Sequence, residues 1–252
     1  ENRDIRYNVL RAVGYYKGKA VVEDILVLNG LEQAPHFGIL YQDTKPLLKG
    51  EDGYNYLYRI NCGGDDFTDS FGQLWMQDNT NYSRSWATSF NELNPYLASQ
   101  RTTSDPIRGS RDWKLFQHFR FGRHQLEYNF PVADGMYRIE FYFTEPWHGT
   151  GGSASADCEG LRIFDVAVND SVVLDDLDIW AESGHDGACK KVVYAIVKGG
   201  LLKIHFPEVK AGQALISGIA IASANSDSKP TLFPASDWNW EKASKEVMEK
   251  TP

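Results

Sequence analysis

Acidic residues give the chain its most concrete candidates for chemistry, one hydrolytic and one metal-binding. Glu145, at the end of a predicted strand, is the nearest candidate for one member of a carboxylate pair that hydrolyses a glycosidic bond. No acidic residue lies in an apolar setting that would clearly raise its pKa, as the proton donor of such a pair requires. A hydrogen-bonding role for Glu145 is therefore favoured. Asp175, Asp176 and Asp178 could offer hard oxygen ligands to calcium, although acidic residues at strand ends are common without a metal.

Other chemical signatures are weak or absent. The six histidines include no pair at the spacing of metal ligands, so a metal site would have to be assembled by the fold. His185 and Asp186 lie together on a glycine-flanked loop, but without a Ser or Cys nucleophile signature beside them a turn-stabilising hydrogen bond is favoured over catalysis. Residues 149–154 fit the pattern G-x-G-x-x-A, yet a strand and not a helix is predicted to follow, which argues against a dinucleotide site.

The sequence contains no phosphate-binding loop, zinc-protease, serine-hydrolase or EF-hand motif. It therefore predicts no cofactor, with calcium left open. The three cysteines, Cys62, Cys158 and Cys189, are odd in number and include no CxxC spacing, which argues against a disulfide framework and a structural zinc site. A single bridge between Cys158 and Cys189 remains open.

The composition excludes several classes of protein. With 26 basic and 34 acidic residues, the net charge of −8 argues against a nucleic-acid partner. The longest apolar stretch, residues 214–222, falls far short of the roughly 20 residues that cross a bilayer, so no membrane insertion is expected. The length of 252 residues allows one large domain or one domain with appendages. Seven Trp, 13 Tyr and 13 Phe predict either an aromatic β-sheet core or a surface that stacks on a flat ligand.

Alternating apolar residues predict the elements that would position such residues. Residues 125–132 and 136–143 each place apolar side chains on one face, and the tight turn 133–135 predicts that they pair as an antiparallel hairpin. Short strands of this kind in close succession are typical of an all-β, jelly-roll-like β-sandwich with long loops. Further strands are predicted at 161–168, 171–174, 190–197, 201–206 and 215–222, with turns at 169–170 and 199–200.

The two ends of the chain carry additional elements. Residues 6–28 predict an N-terminal β-hairpin, and since two strands alone are marginally stable they must dock on another surface. Residues 237–250, preceded by the helix cap Ser236, predict a short C-terminal helix, and Trp238 and Trp240 also need a partner surface. We expect both elements to pack on the sandwich or on neighbouring domains. The chain begins without an initiator Met or a signal peptide, which indicates a processed product or an excised fragment.

Several segments resemble the malectin domain in their order and spacing. They are Tyr58 to Gly64, Leu115 to Gln117, Phe143 to Glu145, and Ile163 to Asn169 followed by Asp176 to Ile179. The last two, FDVAVN followed by DLDI, are the most specific, and the resemblance covers roughly Leu57 to Ala222. It implies a jelly-roll-like β-sandwich without catalytic machinery, which binds carbohydrate through aromatic-bearing loops at one end.

Further stretches resemble the bacterial type of this domain that is appended to glycoside hydrolase family 2 enzymes. Residues 144–152, Cys158 and residues 165–187 resemble that appended domain, and residues 8–28 resemble the last hairpin of the immunoglobulin-like domain that precedes it. The resemblance implies a β-galactosidase-like parent enzyme and a periplasmic or extracellular location. The implied organisation is a hairpin remnant at 1–28, a connection at 29–56, a malectin-like sandwich at 57–223, and a linker with the C-terminal helix at 224–252.

The resemblance also places the family's sugar-contacting positions on five residues. Trp147 and His148 take the positions of an aromatic pair, and Phe121 takes that of a further aromatic. Trp86 lies near an earlier loop tyrosine, and Gln213 lies near a ligand aspartate that has no counterpart in this chain. A sugar ring needs a flat aromatic for its C–H face and planar polar groups for its hydroxyls, a need that Trp147 beside His148 meets. Each of these aromatic residues could instead pack into the fold.

The sequence therefore predicts a non-catalytic carbohydrate-binding module of a multidomain glycoside hydrolase, with carbohydrate and the neighbouring domains of the same polypeptide as partners. The alternative is a structural spacer that braces neighbouring domains and whose sugar site is degenerate. Hydrolysis by the chain itself is the weakest hypothesis. Aromatic faces that are open on a loop surface would favour binding, and buried ones would favour the spacer.

Overall fold

The computed structural model describes residues 9–27, 45–78, 87–88, 90–91, 94–123, 126–149 and 158–230. The regular secondary structure in these ranges is almost entirely β-strand, with one short 3₁₀ helix and one short α-helix. The all-β sandwich predicted from the sequence is thereby confirmed, while the predicted C-terminal helix at 237–250 lies outside the described residues. Within those ranges no helix has the length and apolar character needed to cross a membrane.

The strands are numbered in chain order, and η1 and α1 denote the two helices. The elements are β1 (Val9–Tyr16), β2 (Lys19–Val27), β3 (Asn55–Asn61), β4 (Phe67–Thr68), β5 (Leu74–Gln77), β6 (Ala87–Thr88), β7 (Phe90–Asn91), β8 (Asn94–Ala98), β9 (Gln100–Thr102), η1 (Trp113–Gln117), β10 (His118–Gly122), β11 (Glu127–Pro131), β12 (Gly135–Phe143), β13 (Ile163–Val168), β14 (Ser171–Leu177), α1 (Ile179–Ser183), β15 (Cys189–Val197), β16 (Leu201–His205), β17 (Val209–Ala211), β18 (Ala214–Ile216) and β19 (Gly218–Ser223).

Two six-stranded sheets enclose the main core. Sheet I has the strand order β15-β12-β19-β3-β5-β4, and sheet II has the order β14-β13-β16-β11-β6 with β17 paired to β13. Buried side chains from both sheets form one apolar cluster. Tyr58 of β3 and Phe130 of β11 meet with ring centroids 5.1 Å apart, and Phe143 of β12 meets Phe164 of β13 at 6.1 Å. These inward residues alternate along their strands, which is why the period of two in the sequence predicted strands.

Strand β12 is buried on both of its faces. Every residue from 137 to 143 is buried, and whereas Phe141 belongs to the main core, Tyr142 belongs to a second apolar cluster on the other face of sheet I. The Tyr142 ring contacts Trp75 at 5.2 Å between centroids and Phe116 of η1 at 6.1 Å. The helix η1 therefore covers the outer face of sheet I.

The predicted pairing of residues 125–132 with 136–143 is wrong. Both strands exist, as β11 and β12, but β11 pairs with β6 and β16 in sheet II, whereas β12 pairs with β15 and β19 in sheet I. The short connection between them passes from one sheet to the other. A three-residue turn is compatible with either arrangement, and the crossing lets the apolar faces of both strands meet in one core.

The predicted strand at 215–222 is divided between two sheets. Its first part, β18, pairs with β10 in a three-stranded sheet of order β18-β10-β9, and its second part, β19, lies in sheet I. The division falls at Ser217. A Cβ atom on the next residue, Gly218, would lie 3.0 Å from Leu115 and 3.3 Å from Trp75. The absence of a side chain at Gly218 thus lets the chain pass closely beneath η1.

The N-terminal hairpin is present as predicted. Strands β1 and β2 pair in antiparallel register from Val9 with Val27 to Tyr16 with Lys19. The turn residues Lys17 and Gly18 both have positive φ, 50° and 76°, as in the two-residue turns that suit a twisted hairpin. Its origin as the remnant of a preceding immunoglobulin-like domain stays a prediction.

All three cysteines are buried thiols outside any disulfide, so Cys158 and Cys189 do not form the bridge that the sequence left open. Burial raises the pKa of Cys189 to about 11 and that of Cys62 well above its ordinary value. Since the thiolate is the reactive form of cysteine, both residues are chemically protected by the fold.

We expect a thiol-reactive aromatic disulfide to modify Cys62 and Cys189 only after the chain is unfolded. The measurement is the absorbance of the released thiol in native buffer and in denaturant, where all three cysteines should react. Rapid modification of Cys62 in native buffer would contradict its placement in the core.

Candidate functional site

A buried ion pair lies beneath the loop that carries the predicted sugar-contacting residues. Glu145 follows β12 and is fully buried, and Arg162 directly precedes β13 with its side chain 9% exposed. Arg162 donates from Nε to Glu145 Oε2, and from Nη2 to Glu145 Oε1 at 3.3 Å. The ion pair therefore joins the end of a strand in sheet I to the start of a strand in sheet II.

The Glu145 carboxylate also fixes the backbone of the loop. The N–H groups of Trp147 and His148 donate to Glu145 Oε1 at 2.9 and 3.0 Å. Burial opposes the charged form, but Arg162 and the two N–H donors outweigh it and hold the pKa of Glu145 below its ordinary value. A carboxylate held in its ionised form is unsuited to donate a proton, and the hydrogen-bonding role predicted for Glu145 is the one that the structure shows.

The Trp147 side chain lies open on the surface. It is 74% exposed, although its backbone is held from below. Single exposed apolar side chains are normal on a protein surface, but among the large apolar residues of the described ranges Trp147 has the highest exposed fraction. The neighbouring His148 is half-buried. The structure thus presents an exposed tryptophan side chain on a segment whose backbone is held at Trp147 and His148, and the choice between sugar binding and packing for this ring stays a prediction.

Arg162 also holds a second loop, which carries Gln213. Its Nη1 donates to the Gln213 carbonyl oxygen at 2.5 Å. The adjacent Gly212 has φ of +63°, and a Cβ atom there would lie 2.9 Å from the Leu161 carbonyl oxygen, so glycine allows this loop to lie directly against the start of β13. One guanidinium group therefore connects both loops.

Phe121 lies on the strand that adjoins the Gln213 loop. It is on β10 in register with Leu215 of β18. The Phe121 ring is half-buried, packs against the main core and lies 6.4 Å from the ring of Phe119. The Phe121 ring is thus partly buried in the core, whereas the Trp147 side chain is mostly exposed.

The structure brings three of the five predicted residues together. Trp147, His148 and Gln213 lie on loops held by the Glu145 and Arg162 ion pair, with Phe121 on an adjoining strand. Trp86 lies outside the described residues. A role in sugar binding stays a prediction for all five.

The predicted His-Asp pair lies behind the same loop. His185 Nδ1 is 3.1 Å from the Glu145 carbonyl oxygen, and the Asp186 N–H donates to that oxygen at 2.9 Å. The turn-stabilising hydrogen bond predicted for this pair is therefore present. Gly149 has φ of +94°, and a Cβ atom there would lie 3.1 Å from His185 Cβ. Glycine thus allows the chain at position 149 to lie directly against His185.

The three acids proposed for calcium do not share one position. Asp178 caps α1, because its carboxylate accepts from Ala181 N–H at 3.0 Å and from Gly160 N–H at 2.6 Å. Asp175 and Asp176 instead approach the buried Asp165, whose Oδ1 accepts the Asp176 N–H. Lys210 forms an ion pair with Asp176. Calcium binding in this region stays a prediction.

Sequence analysis did not single out Arg162. Its signal was its place two residues before FDVAVN, because a cationic side chain at the start of a buried strand needs an anionic partner. The partner, Glu145, was considered only for hydrolysis or for a local hydrogen bond. The two residues are 17 positions apart, and only the folded sandwich brings them together.

The family model of the malectin domain matches residues 56–225, which is more than half of the chain. Curated relatives include Malectin from Danio rerio, 26% identical over 150 residues that make up 59% of this chain and 47% of that protein. Malectin from Mus musculus is 26% identical over 149 residues, 59% of this chain and 45% of that protein. The chain spans about half the length of these relatives.

Solved structures with a similar fold come from two kinds of protein. The Bacteroides uniformis beta-glucuronidase has a TM-score of 0.53 at 22% identity, covering 89% of this chain and 22% of that enzyme. The ANXUR2 extracellular domain from Arabidopsis thaliana has a TM-score of 0.54 at 16% identity, covering 71% of this chain and 53% of that domain. At these identities the likeness concerns the fold alone, whereas the family match spans the sandwich with both site loops. The chain belongs to the malectin domain family.

Proposed function

We propose that the chain is a non-catalytic carbohydrate-binding module of a multidomain glycoside hydrolase, and that it binds a glycan at the Trp147 loop. Malectin domains are carbohydrate-binding domains, and the loop carries the largest aromatic ring at the position that the family resemblance assigns to sugar contact. The bound glycan would stack a sugar C–H face on Trp147 and place hydroxyl groups near His148 and Gln213.

The observation that carries this proposal is an exposed Trp147 side chain on a backbone that is held by hydrogen bonds to Glu145. A side chain that is 74% exposed gains little from folding, while the loop beneath it is tied by two hydrogen bonds to a buried carboxylate. Such an arrangement lowers the entropy lost on binding, because the platform is already in place before the ligand arrives. In this proposal His148 and Gln213 would offer the polar groups for the sugar hydroxyls.

An accessory role beside a hydrolase is supported by the share of this chain that one similar solved structure covers. The Bacteroides uniformis beta-glucuronidase covers 89% of this chain, more than the family match at 56–225, and the chain corresponds to only 22% of that enzyme. This is the relation expected of a module attached to a larger catalytic protein. We propose a periplasmic or extracellular location for the same reason, since polysaccharide substrates are found there.

A glycan array probed with the isolated chain tests the proposal directly. We expect binding to at least one class of glycan, with an affinity on the order of 10 µM to 1 mM, because one stacked ring with a few hydrogen bonds gives weak binding. Calorimetry with the best oligosaccharide then gives the affinity. No detectable binding to any glycan on the array would favour the spacer alternative.

The same preparation serves as the control for catalysis. We expect no turnover of aryl β-galactosides, β-glucosides or β-glucuronides above the buffer rate, because Glu145 is committed to Arg162 and to the loop backbone. Turnover well above that rate by the pure chain would overturn the non-catalytic assignment.

The structural spacer keeps one specific observation in its favour. Phe121 has no hydroxyl group and is packed partly in the core, so one of the family's sugar-contacting positions offers less than a tyrosine would. A degenerate site would still fold and brace its neighbours. The glycan array distinguishes the two functions, because a structural spacer is not expected to bind any glycan selectively.

A further inference from the structure

We propose a divalent metal site, selective for a cation such as Zn²⁺ that accepts mixed nitrogen and oxygen ligands, formed by Asp24, His185 and Asp186. One ligand atom from each residue lies within 4.8 Å of the other two. Asp24 belongs to β2 of the N-terminal hairpin, whereas His185 and Asp186 follow α1 in the sandwich. The metal would therefore clamp the hairpin to the sandwich.

The hydrogen bonding of His185 leaves its other nitrogen available to a metal. Nδ1 lies 3.1 Å from the Glu145 carbonyl oxygen, which can only accept, so Nδ1 carries a proton. Nε2 lies 3.0 Å from Asp186 Oδ2, yet it has no partner in hydrogen-bond geometry among the described residues. A metal-binding histidine typically donates its second N–H to a carbonyl or carboxylate in this way, which orients the ring.

Asp186 contributes a buried carboxylate to the same group of ligand atoms. The residue is 95% buried, with 5% of its surface exposed, and its Oδ1 has no hydrogen-bond partner within the described part of the chain. Its backbone is fixed on both sides: its N–H donates to the Glu145 carbonyl oxygen, and its own carbonyl accepts from Arg108 N–H at 2.7 Å. The side chain therefore cannot easily turn to water, and although Oδ2 faces His185 Nε2, a buried Oδ1 without a hydrogen-bond partner is costly unless a cation compensates it.

The surrounding charge favours a cation. Asp24 and Asp105 both act electrostatically on His185 and Asp186, so three carboxylates contribute negative charge to the neighbourhood of one imidazole. The nearest guanidinium, that of Arg108, donates from Nη2 to the carbonyl oxygens of Ser183 and His185. A doubly charged ion between the ligand atoms would offset this excess of negative charge and give Nε2 and Oδ1 the partners they lack.

The ligand set indicates the class of metal. Imidazole nitrogen suits Zn²⁺ and similar first-row ions, whereas Ca²⁺ takes oxygen ligands almost exclusively. One imidazole and two carboxylates match the nitrogen and oxygen ligands that zinc accepts. This cluster differs from the group formed by Asp165, Asp175 and Asp176, which has no histidine and in which Asp176 already pairs with Lys210.

The test uses the full 252-residue chain, stripped of metal with a chelator and titrated with zinc chloride by calorimetry. We expect one Zn²⁺ per chain, confirmed by native mass spectrometry. Asp24→Asn and His185→Gln should each weaken the affinity by at least about 100-fold. Asp175→Asn and His205→Gln are the matched controls at an acid and a histidine outside the cluster, and they should bind Zn²⁺ as the wild type does. Ca²⁺ at equal concentration should not displace it.

Hydrogen exchange gives a second readout that does not depend on affinity. Zn²⁺ should slow amide exchange in β2 of the wild type and leave it unchanged in Asp24→Asn, a substitution on the hairpin that leaves the sandwich intact. Three results would each overturn the site: no saturable Zn²⁺ binding, binding that Asp24→Asn does not weaken, or displacement of Zn²⁺ by Ca²⁺. If His185→Gln fails to fold, Asp24→Asn alone decides.

Discussion

Arg162→Met should both abolish glycan binding and lower the free energy of unfolding by about 3 to 5 kcal/mol, the usual cost of leaving a buried charge without its partner. Glu145 is fully buried, and the substitution removes its only cationic partner among the described residues. The same change removes the donor that holds the Gln213 carbonyl. Both loops of the site would lose their common support, so the loss of binding does not require any direct contact between Arg162 and the ligand.

Urea denaturation and calorimetry with the best oligosaccharide measure the two effects. Arg123→Met is the matched control, because Arg123 is exposed and the same change there should alter neither quantity. The double variant Glu145→Gln with Arg162→Met should be more stable than Arg162→Met alone, since it removes the uncompensated charge while an amide oxygen can still accept from the loop N–H groups. An Arg162→Met chain that binds glycan normally and loses less than about 1 kcal/mol would show that the ion pair does not organise the site.

Strands such as β11 and β16 were predictable from the sequence because apolar and polar residues alternate along them, and burial on one face enforces that alternation. Their pairing was less predictable. The turn after β11 contains too few residues to distinguish a hairpin from a crossing between sheets, and the outcome depends on burial of β12 on both faces. That burial in turn depends on Trp75 and Phe116, which are distant in sequence and supply the second apolar cluster. A local pattern contains no information about either contact.

The exposed aromatic loop of the candidate site was predictable from the sequence, but the ion pair that holds the loop was not. Trp147 and the Gly149 turn stand in one short segment, so the sequence shows an aromatic residue on a glycine-rich loop at a strand end. Arg162 and Gln213 come from two other segments and meet Glu145 only in the folded chain. The same holds for the Asp24, His185 and Asp186 cluster, because Asp24 lies about 160 residues before the adjacent His185 and Asp186 and no spacing rule for metal ligands applies to it.

Trp147→Ala should abolish detectable glycan binding while shifting the melting temperature by only a few degrees. The ring is 74% exposed, so its loss removes little buried surface from the fold. One stacked ring and a few hydrogen bonds give a binding free energy of about 4 to 7 kcal/mol, and without the ring the remaining hydrogen bonds are too weak for detectable binding. Trp147→Phe, which keeps a smaller aromatic face, should retain weakened binding.

The comparison that decides the role of Trp147 is between binding and stability in the same variant. Tyr16→Ala is the control, because Tyr16 is another exposed aromatic residue, 64% exposed at the tip of the N-terminal hairpin, and its loss should leave glycan binding unchanged. A purely structural role for Trp147 predicts the opposite pattern, with a loss of about 3 to 5 kcal/mol of stability, as for a buried Trp. If Trp147→Ala instead keeps full glycan binding, the stacking platform must be another ring, and Phe121, which adjoins the Gln213 loop, becomes the next residue to replace.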